Sequence, residues 1–282
     1  MAIKRILVIG GNGYIGRALV KELNKEYEVS IMDRRKNLGN YKFVLGDLLK
    51  KESLTRGINN FDMVINLASV VRSFNKFRYR ENVEGLKNLI DVLNKKKIKL
   101  IYFSTQNVNL RNKGHYARSK KAAEKLLINS DLDYMIIRPN FVYEIGKENY
   151  FYKMARMVFK FNFAFVIGNG DNEIQPVLRE DLAGVVLKLV KNFKTGEIVE
   201  ISGNQTTSIN KVIEAINDKI GRKSLVIHFP TGIARIFRFL IPFDVDGFDE
   251  KRISNNPYRN YNFSSFYDNL NRIILICKSN YF

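Results

Sequence analysis

The stretch Ile3-Lys4-Arg5-Ile6-Leu7-Val8-Ile9-Gly10-Gly11-Asn12-Gly13-Tyr14-Ile15-Gly16 decides the fold. Ile3–Ile9 reads as a buried strand. Tyr14–Lys25 reads as a helix, with Ile15, Ala18, Leu19 and Leu23 at helical spacing. Between them Gly10, Gly13 and Gly16 fall in a G-x-x-G-x-x-G pattern. A glycine turn joining a strand to a helix N-terminus lets a pyrophosphate approach the backbone and meet N–H groups that lack intrahelical partners. Strand before and helix after is the context such a loop requires. The candidate phosphate-binding residues are Gly10, Asn12, Gly13, Tyr14, Ile15 and Gly16.

Working outward, short apolar runs alternate with amphipathic ones. Glu28–Met32, Lys42–Leu45, Asp62–Leu67, Ile98–Phe103 and Tyr134–Ile137 read as strands, and Arg80–Leu93 and Tyr116–Ile128 as helices. This alternation predicts an α/β fold: a doubly wound parallel sheet (Rossmann type) with helices on both faces. The expected division is a dinucleotide-binding domain over 1–145 and a smaller C-terminal α/β substrate-binding region over 146–282, interleaved with it. In that second part Asp181–Lys191 and Ile209–Ile220 read as helices, the latter ended by Gly221, and Ile198–Ile201 as a strand. From Phe243 on, the chain is rich in Asn, Tyr and Phe and shows weak periodicity.

The 282 residues carry 47 Lys+Arg against 28 Asp+Glu, a formal charge of +19, and are 45% hydrophobic. That content excludes disorder as the main state. One cysteine, Cys277, and two histidines exclude a disulfide framework and argue against a zinc site. The longest near-apolar run, Phe159–Ile167, is interrupted by Lys160 and Asn162 and is far shorter than the ~20 residues of a membrane span. The apolar run after Lys4 and Arg5 is too short for an export signal. A cytoplasmic enzyme with affinity for anions is the expectation. Lys95, Lys96, Lys97 and Lys99 cluster where a helix ends, which suits the helix dipole. No nucleic-acid recognition motif accompanies them.

Asp33 ends the second strand, where a carboxylate bonds adenosine ribose hydroxyls and favours NAD. Arg34 and Arg35 follow, and could pair with a 2′-phosphate, so NADP is the alternative. Tyr116 and Lys120 lie four residues apart on one helical face. A free phenol, with a pKa of about 10, is a poor base at neutral pH, and a neighbouring ammonium favours its ionised form.

Together these residues resemble the short-chain dehydrogenase/reductase superfamily, specifically its extended, nucleotide-sugar-epimerase-like branch. Further segments resemble the same family. Gly46-Asp47-Leu48 resembles the adenine contact, Asn66-Leu67-Ala68-Ser69 the strand end under the cofactor, and Arg138-Pro139-Asn140-Phe141-Val142-Tyr143 the segment beside the nicotinamide. The resemblance adds Asp47, Leu48, Leu67, Ala68, Ser69, Pro139, Asn140 and Val142 to the cofactor site. It implies hydride transfer at a carbinol or carbonyl carbon of a small-molecule substrate. Tyr116 would exchange the hydroxyl proton. Lys120 would hold the nicotinamide ribose, Thr105 would bond the reacting oxygen, and Asn82 would order a water linking Lys120 to solvent.

Two departures bear on substrate. The family's diphosphate-clamping arginine position falls on Ile174, and its Val-Tyr-Gly-Pro-Gly reads Val142-Tyr143-Glu144-Ile145-Gly146. Gln175-Pro176-Val177 resembles the atypical branch related to the nucleotide-binding accessory subunit of respiratory complex I, whose members bind NAD(P)H. The alternatives to an active oxidoreductase or epimerase/dehydratase are therefore a non-catalytic NAD(P)H-binding subunit or sensor, and a nucleotide-sugar epimerase proper. A homodimer stays open. Thr231–Phe243 reads as a helix over the substrate cleft or, through its apolar and arginine residues, as a contact to a membrane surface or protein partner.

Overall fold

A computed structural model of the chain describes residues 3–35, 40–147, 149–236 and 250–280. The elements are β1 (Arg5–Ile9), α1 (Tyr14–Leu23), β2 (Glu28–Asp33), β3 (Lys42–Leu45), α2 (Lys51–Gly57), β4 (Met63–Asn66), α3 (Glu81–Lys96), β5 (Lys99–Phe103), α4 (His115–Ile128), β6 (Tyr134–Pro139), β7 (Val142–Tyr143), α5 (Tyr150–Phe161), β8 (Phe163–Ile167), β9 (Val177–Leu178), α6 (Arg179–Lys191), β10 (Glu197–Ile201), α7 (Ile209–Ile220), β11 (Leu225–Phe229), α8 (Thr231–Ile236) and α9 (Phe266–Ser279). They form two compact units: Met1–Pro139 with Leu182–Glu200, and Asn140–Asp181 with Ile201–Phe282.

The first unit is built on a sheet of order β10-β6-β5-β4-β1-β2-β3. β1 pairs in parallel with β2 and β4, β2 with β3, β4 with β5 and β5 with β6. The order reverses direction at β1, so the strand ends after β1 and β4 open a crevice of the kind that accepts dinucleotides. Leu7, Ile9, Val64, Leu100 and Ile136 face one core together with Leu86, Leu89, Leu93, Ala123 and Leu127 from α3 and α4. The alternate residues Ile6, Val8, Ile31, Ile65 and Ile101 are buried as well. Burial on both sides explains why these strands read as continuous apolar runs. An exposed Lys191–Glu26 pair at 2.7 Å joins the end of α6 to the loop after α1.

The second unit has a different core. Phe151, Met154, Ala155 and Val158 of α5 pack with Ala164 and Val166 of β8, Val212, Ile213 and Ile216 of α7, and Phe266, Leu270, Ile273, Ile274 and Cys277 of α9. β8 pairs in parallel with β11, and β7 with β9. The near-apolar run Phe159–Ile167 divides between the end of α5 and β8. Its break at Asn162 is a left-handed helix cap, φ 56°. The tail with weak periodicity contains α9, whose buried residues Phe266, Leu270, Ile273, Ile274 and Cys277 follow helical spacing. Of the segment Thr231–Phe243, α8 covers Thr231–Ile236, and 237–243 lies outside the described residues. Among the described residues no helix is long and apolar enough to cross a membrane.

Candidate active site

β1 delivers Gly10 at φ 80°, a left-handed conformation that glycine adopts freely. A Cβ there would also lie 2.9 Å from the Ala68 nitrogen, so β1 and the end of β4 approach more closely than a side chain permits. Gly10 N–H donates to Met32 O at 3.0 Å and Gly13 N–H to Gly10 O at 3.0 Å, which fixes the turn. Gly13 is the N-cap of α1; it offers no side-chain acceptor, and the first turn holds no acidic residue. The first N–H groups of α1, from Tyr14, Ile15 and Gly16, therefore have no carboxylate cap competing with a bound anion. A Cβ on Gly13 would meet nothing within 4 Å except Gly10 O at 3.1 Å. The open side of that position is a cradle that a side chain would fill. A pyrophosphate fits it.

At the end of β2, Asn12 Nδ2 donates to Asp33 Oδ2 at 3.3 Å and Arg34 N–H to Asp33 Oδ1 at 2.7 Å. Asp33, Arg34, Arg35 and Arg78 line a cavity of about 540 Å³. Arg78 comes from the loop after β4, at long sequence distance, and pairs with Glu81 at 2.8 Å. Leu67 N–H donates to Ile9 O at 2.9 Å and Ala68 N–H to Asn66 Oδ1 at 3.0 Å, placing this strand end beside the phosphate turn. Ser69 follows, half-buried. Asp47 accepts from Leu49 N–H at 3.0 Å, and Asn88 Nδ2 of α3 donates to Leu48 O at 2.9 Å, so the Gly46-Asp47-Leu48 segment is held by one local and one long-range bond.

The segment after β5 carries Thr105, and α4 carries Tyr116 and Lys120. Thr105 leaves β5 in an extended conformation and its Oγ1 accepts from Asn107 N–H at 3.3 Å. Tyr116 stands in the first turn of α4, half-buried, and Lys120 one turn later is only 2% exposed. Lys120 Nζ donates to Phe103 O at 2.5 Å and lies 4.0 Å from the centre of the Tyr102 ring. Burial lowers its pKa to about 7, partly offset by the Glu124 carboxylate. Burial likewise pushes the Tyr102 phenol well up, with Tyr116 and Glu124 adding to the shift.

The Asn82 amide acts as a clamp. Its Oδ1 accepts from Val70 N–H at 2.6 Å, and its Nδ2 donates to Val70 O at 3.1 Å and Ser119 Oγ at 2.9 Å. Ser119 Oγ in turn donates to Tyr116 O at 2.8 Å. Below the pair, Glu124, fully buried, receives Arg138 in a bidentate pairing at 2.8 Å and 2.8 Å. Arg138 also lies 3.6 Å from Glu200, which accepts from Asn109 at 2.7 Å. This network ties β6 and β10 to α4 and to the turn after Thr105.

Pro139 ends the first unit, buried. Asn140 and Val142 belong to the second. Asn140 Nδ2 donates to Arg252 O at 2.8 Å, and Val142 pairs with Val177. Ile174 is 2% exposed and forms bridges to Thr207 and to Arg252. The Arg252 guanidinium is buried, 5.8 Å from the centre of the Phe141 ring. An arginine thus stands beside the position where the family's arginine is replaced by Ile174.

The sequence reading did not single out Tyr102, Ser119, Arg78 or Arg252 as site residues. Ser119 and Tyr102 were findable, since each adjoins a named residue on an assigned element. Arg78 and Arg252 lie on irregular segments, where no period predicts what a side chain meets.

Residues 6–202 match the NAD dependent epimerase/dehydratase family. The chain belongs to that family. It is an NAD(P)-dependent enzyme by that membership, and NAD is the family's cofactor. It is 21% identical over 249 residues to the N-acetyl-α-D-glucosaminyl-diphospho-ditrans,octacis-undecaprenol 4-epimerase of Escherichia coli O157:H7, covering 80% of this chain and 75% of that one. It is 27% identical over 226 residues to the mitochondrial NADH dehydrogenase [ubiquinone] 1 alpha subcomplex subunit 9 of Dictyostelium discoideum, covering 75% of this chain and 62% of that one. The UDP-glucuronic acid 4-epimerase of Bacillus cereus superimposes with a TM-score of 0.79 at 20% identity, over 98% of this chain and 100% of that one.

Proposed function

We propose that this chain catalyses proton and hydride exchange at a hydroxyl or carbonyl carbon, as an NAD(P)-dependent oxidoreductase or epimerase/dehydratase, with Tyr116 as the acid–base group. The observation that carries the reading is the Tyr116/Lys120 pair on α4, with Thr105 at the end of the adjoining β5 and Lys120 buried against Phe103 O. NAD, when bound, accepts and returns a hydride. Gly10, Asn12, Gly13, Tyr14, Ile15, Gly16 and Asp33 would hold it at one end and Lys120 at the other. Pro139, Asn140 and Val142 would border the nicotinamide. Thr105 Oγ1 would orient the substrate oxygen, and Tyr116 Oη would give and take its proton. Asn82 would keep Tyr116 in place through Ser119. Arg34, Arg35 and Arg78 give the adenosine end enough positive charge to receive a 2′-phosphate, so NADPH is the second cofactor to test.

A second reading concerns the substrate. The buried Arg252 beside Ile174 favours an anionic, diphosphate-bearing sugar, since a guanidinium there can fork onto phosphate oxygens. The relatives that act on a lipid diphosphate sugar and on UDP-glucuronic acid support that class.

The experiment is turnover of UDP-glucuronic acid and UDP-N-acetylglucosamine with NAD, followed by product chromatography, alongside NADH binding by fluorescence. Tyr116→Phe should cut turnover by about 10²–10⁴-fold, the contribution of a positioned acid–base group, with NADH affinity kept. Undiminished turnover in Tyr116→Phe would remove that residue from the chemistry. NADH binding without turnover of any hydroxyl or carbonyl substrate would favour the non-catalytic subunit.

A further inference from the structure

The loop between β4 and α3 reads Val71-Arg72-Ser73-Phe74-Asn75-Lys76-Phe77-Arg78-Tyr79-Arg80: four cations and three aromatic residues with no carboxylate among them. Soluble surfaces rarely hold large apolar side chains out in a run, yet Val71 is 54% exposed, Phe74 80% and Phe77 64%. The exposure is built in and does not come from a loose chain. Asn75 Oδ1 caps the following 3₁₀ turn by accepting from Phe77 N–H at 2.9 Å, and Asn75 N–H donates to Ser73 Oγ at 3.2 Å. Ser73 N–H donates to Tyr79 Oη at 3.0 Å, while Tyr79 stacks on His115 at 5.9 Å. Val70 is clamped by Asn82. With its base fixed, the loop holds Phe74 and Phe77 outward.

The charges are arranged to match. Arg78 pairs with Glu81, and Arg80 lies 3.6 Å from Glu84. The other two cations stand over the exposed rings: Arg72 lies 5.9 Å from the centre of the Phe74 ring and Lys76 5.5 Å from that of Phe77. Exposed rings held out in a run, with cations over them and no carboxylate in the loop, suit the boundary of an anionic bilayer. There the ring enters the acyl region and the cation stays at the level of the phosphates. A neutral protein surface would satisfy the rings but strand the cations, and the chain's net charge of +19 adds long-range attraction to an anionic surface.

We propose that residues 71–80 dock this protein onto the surface of an anionic phospholipid membrane, with Phe74 and Phe77 inserted and Arg72 and Lys76 at the headgroup phosphates. This does not depend on the reading of Tyr116. If both hold, the docking loop is tied through Asn82 and Ser119 to the backbone of the catalytic tyrosine, which would present the site to substrates borne by the membrane.

The test is co-sedimentation of the full chain with vesicles of phosphatidylcholine containing 30% phosphatidylserine, against pure phosphatidylcholine, at low and at raised salt. Binding should require phosphatidylserine and weaken as salt is added. Phe74→Ser/Phe77→Ser should lower the partition coefficient by at least tenfold, with folding verified by circular dichroism and NADH binding retained. Arg72→Ser/Lys76→Ser should flatten the salt dependence. Leu225→Ser/Leu275→Ser removes two exposed apolar side chains of the second unit, 66% and 60% exposed, and should leave binding unchanged. Three results would overturn the proposal: no binding to anionic vesicles, equal loss in the Phe74/Phe77 and Leu225/Leu275 variants, or a Phe74/Phe77 variant that changes only the KM for a soluble substrate. The last would make the loop a cover for the site.

Discussion

Lys120→Met should change the pH dependence of stability more than stability itself at any single alkaline pH. Lys120 is 2% exposed, and burial lowers its pKa from 10.5 to about 7. The unfolded chain keeps a proton on this amine up to about pH 10.5, while the folded chain releases it near 7. Between those values the unfolded state binds more protons, so stability rises with pH. The 3.5-unit gap (10.5 − 7) is about 5 kcal/mol at roughly 1.4 kcal/mol per unit. That destabilisation is fully present below pH 7 and is relieved as pH climbs to 10.5. Methionine fills a similar volume without charge. Urea unfolding of both proteins, without cofactor, from pH 6 to pH 10 gives the comparison. The advantage of Lys120→Met should approach about 5 kcal/mol near pH 6 and shrink steadily above pH 7. A difference that stays constant across that range would refute the buried-amine reasoning.

Other outcomes follow from the packing. Glu124→Gln leaves Arg138 without its bidentate partner in a buried setting and should cost about 3 kcal/mol in urea unfolding, with Glu200 limiting the loss. Phe151→Ala empties the centre of an aromatic cluster with Phe141, Tyr143 and Phe266 and should cost about 3–5 kcal/mol, read as a lower unfolding temperature of the second unit. Asn82→Ala removes three hydrogen bonds that hold Val70 and Ser119, and should raise the hydrogen-exchange rate of the Val70 amide while the β4 amides stay protected.

The first unit was legible because its physics is periodic. Lys42–Leu45 coincides with the residues the pattern marks, the other strands of the sheet differ by one or two positions, and in the second unit Ile209–Ile220 coincides as well. Two-sided burial makes each strand an apolar run, and helical spacing marks α1, α3 and α4. α6 begins at Arg179, two residues before the expected Asp181. The second unit hid α5, β8, β11 and α9. In α5 Lys153, Arg156 and Lys160 fall at helical spacing, but the near-apolar run Phe159–Ile167 straddles its end, and the boundary at Asn162 is a single left-handed residue. In α9 the buried positions do repeat at helical spacing, but Asn and Tyr around them mask the pattern. At the site, residue types at fixed spacing pointed to Gly10, Asp33, Tyr116 and Lys120. Juxtapositions across long sequence distance, such as Arg78 and Asp33 on one cavity wall and the bridge of Arg252 to Ile174, have no local signature.

The account rests on a nicotinamide cofactor seated on the Gly10–Gly16 turn. Fluorescence titration of the purified protein with NADH, repeated with Gly13→Ala, tests that most directly. A Cβ at Gly13 would lie 3.1 Å from Gly10 O, a close contact that a slight shift of that carbonyl relieves, so the fold should survive while the cradle fills. The expected result is saturable binding of one NADH per chain, weakened at least tenfold in Gly13→Ala while that variant still unfolds cooperatively. No binding by the native chain, or equal binding by the two, would contradict it.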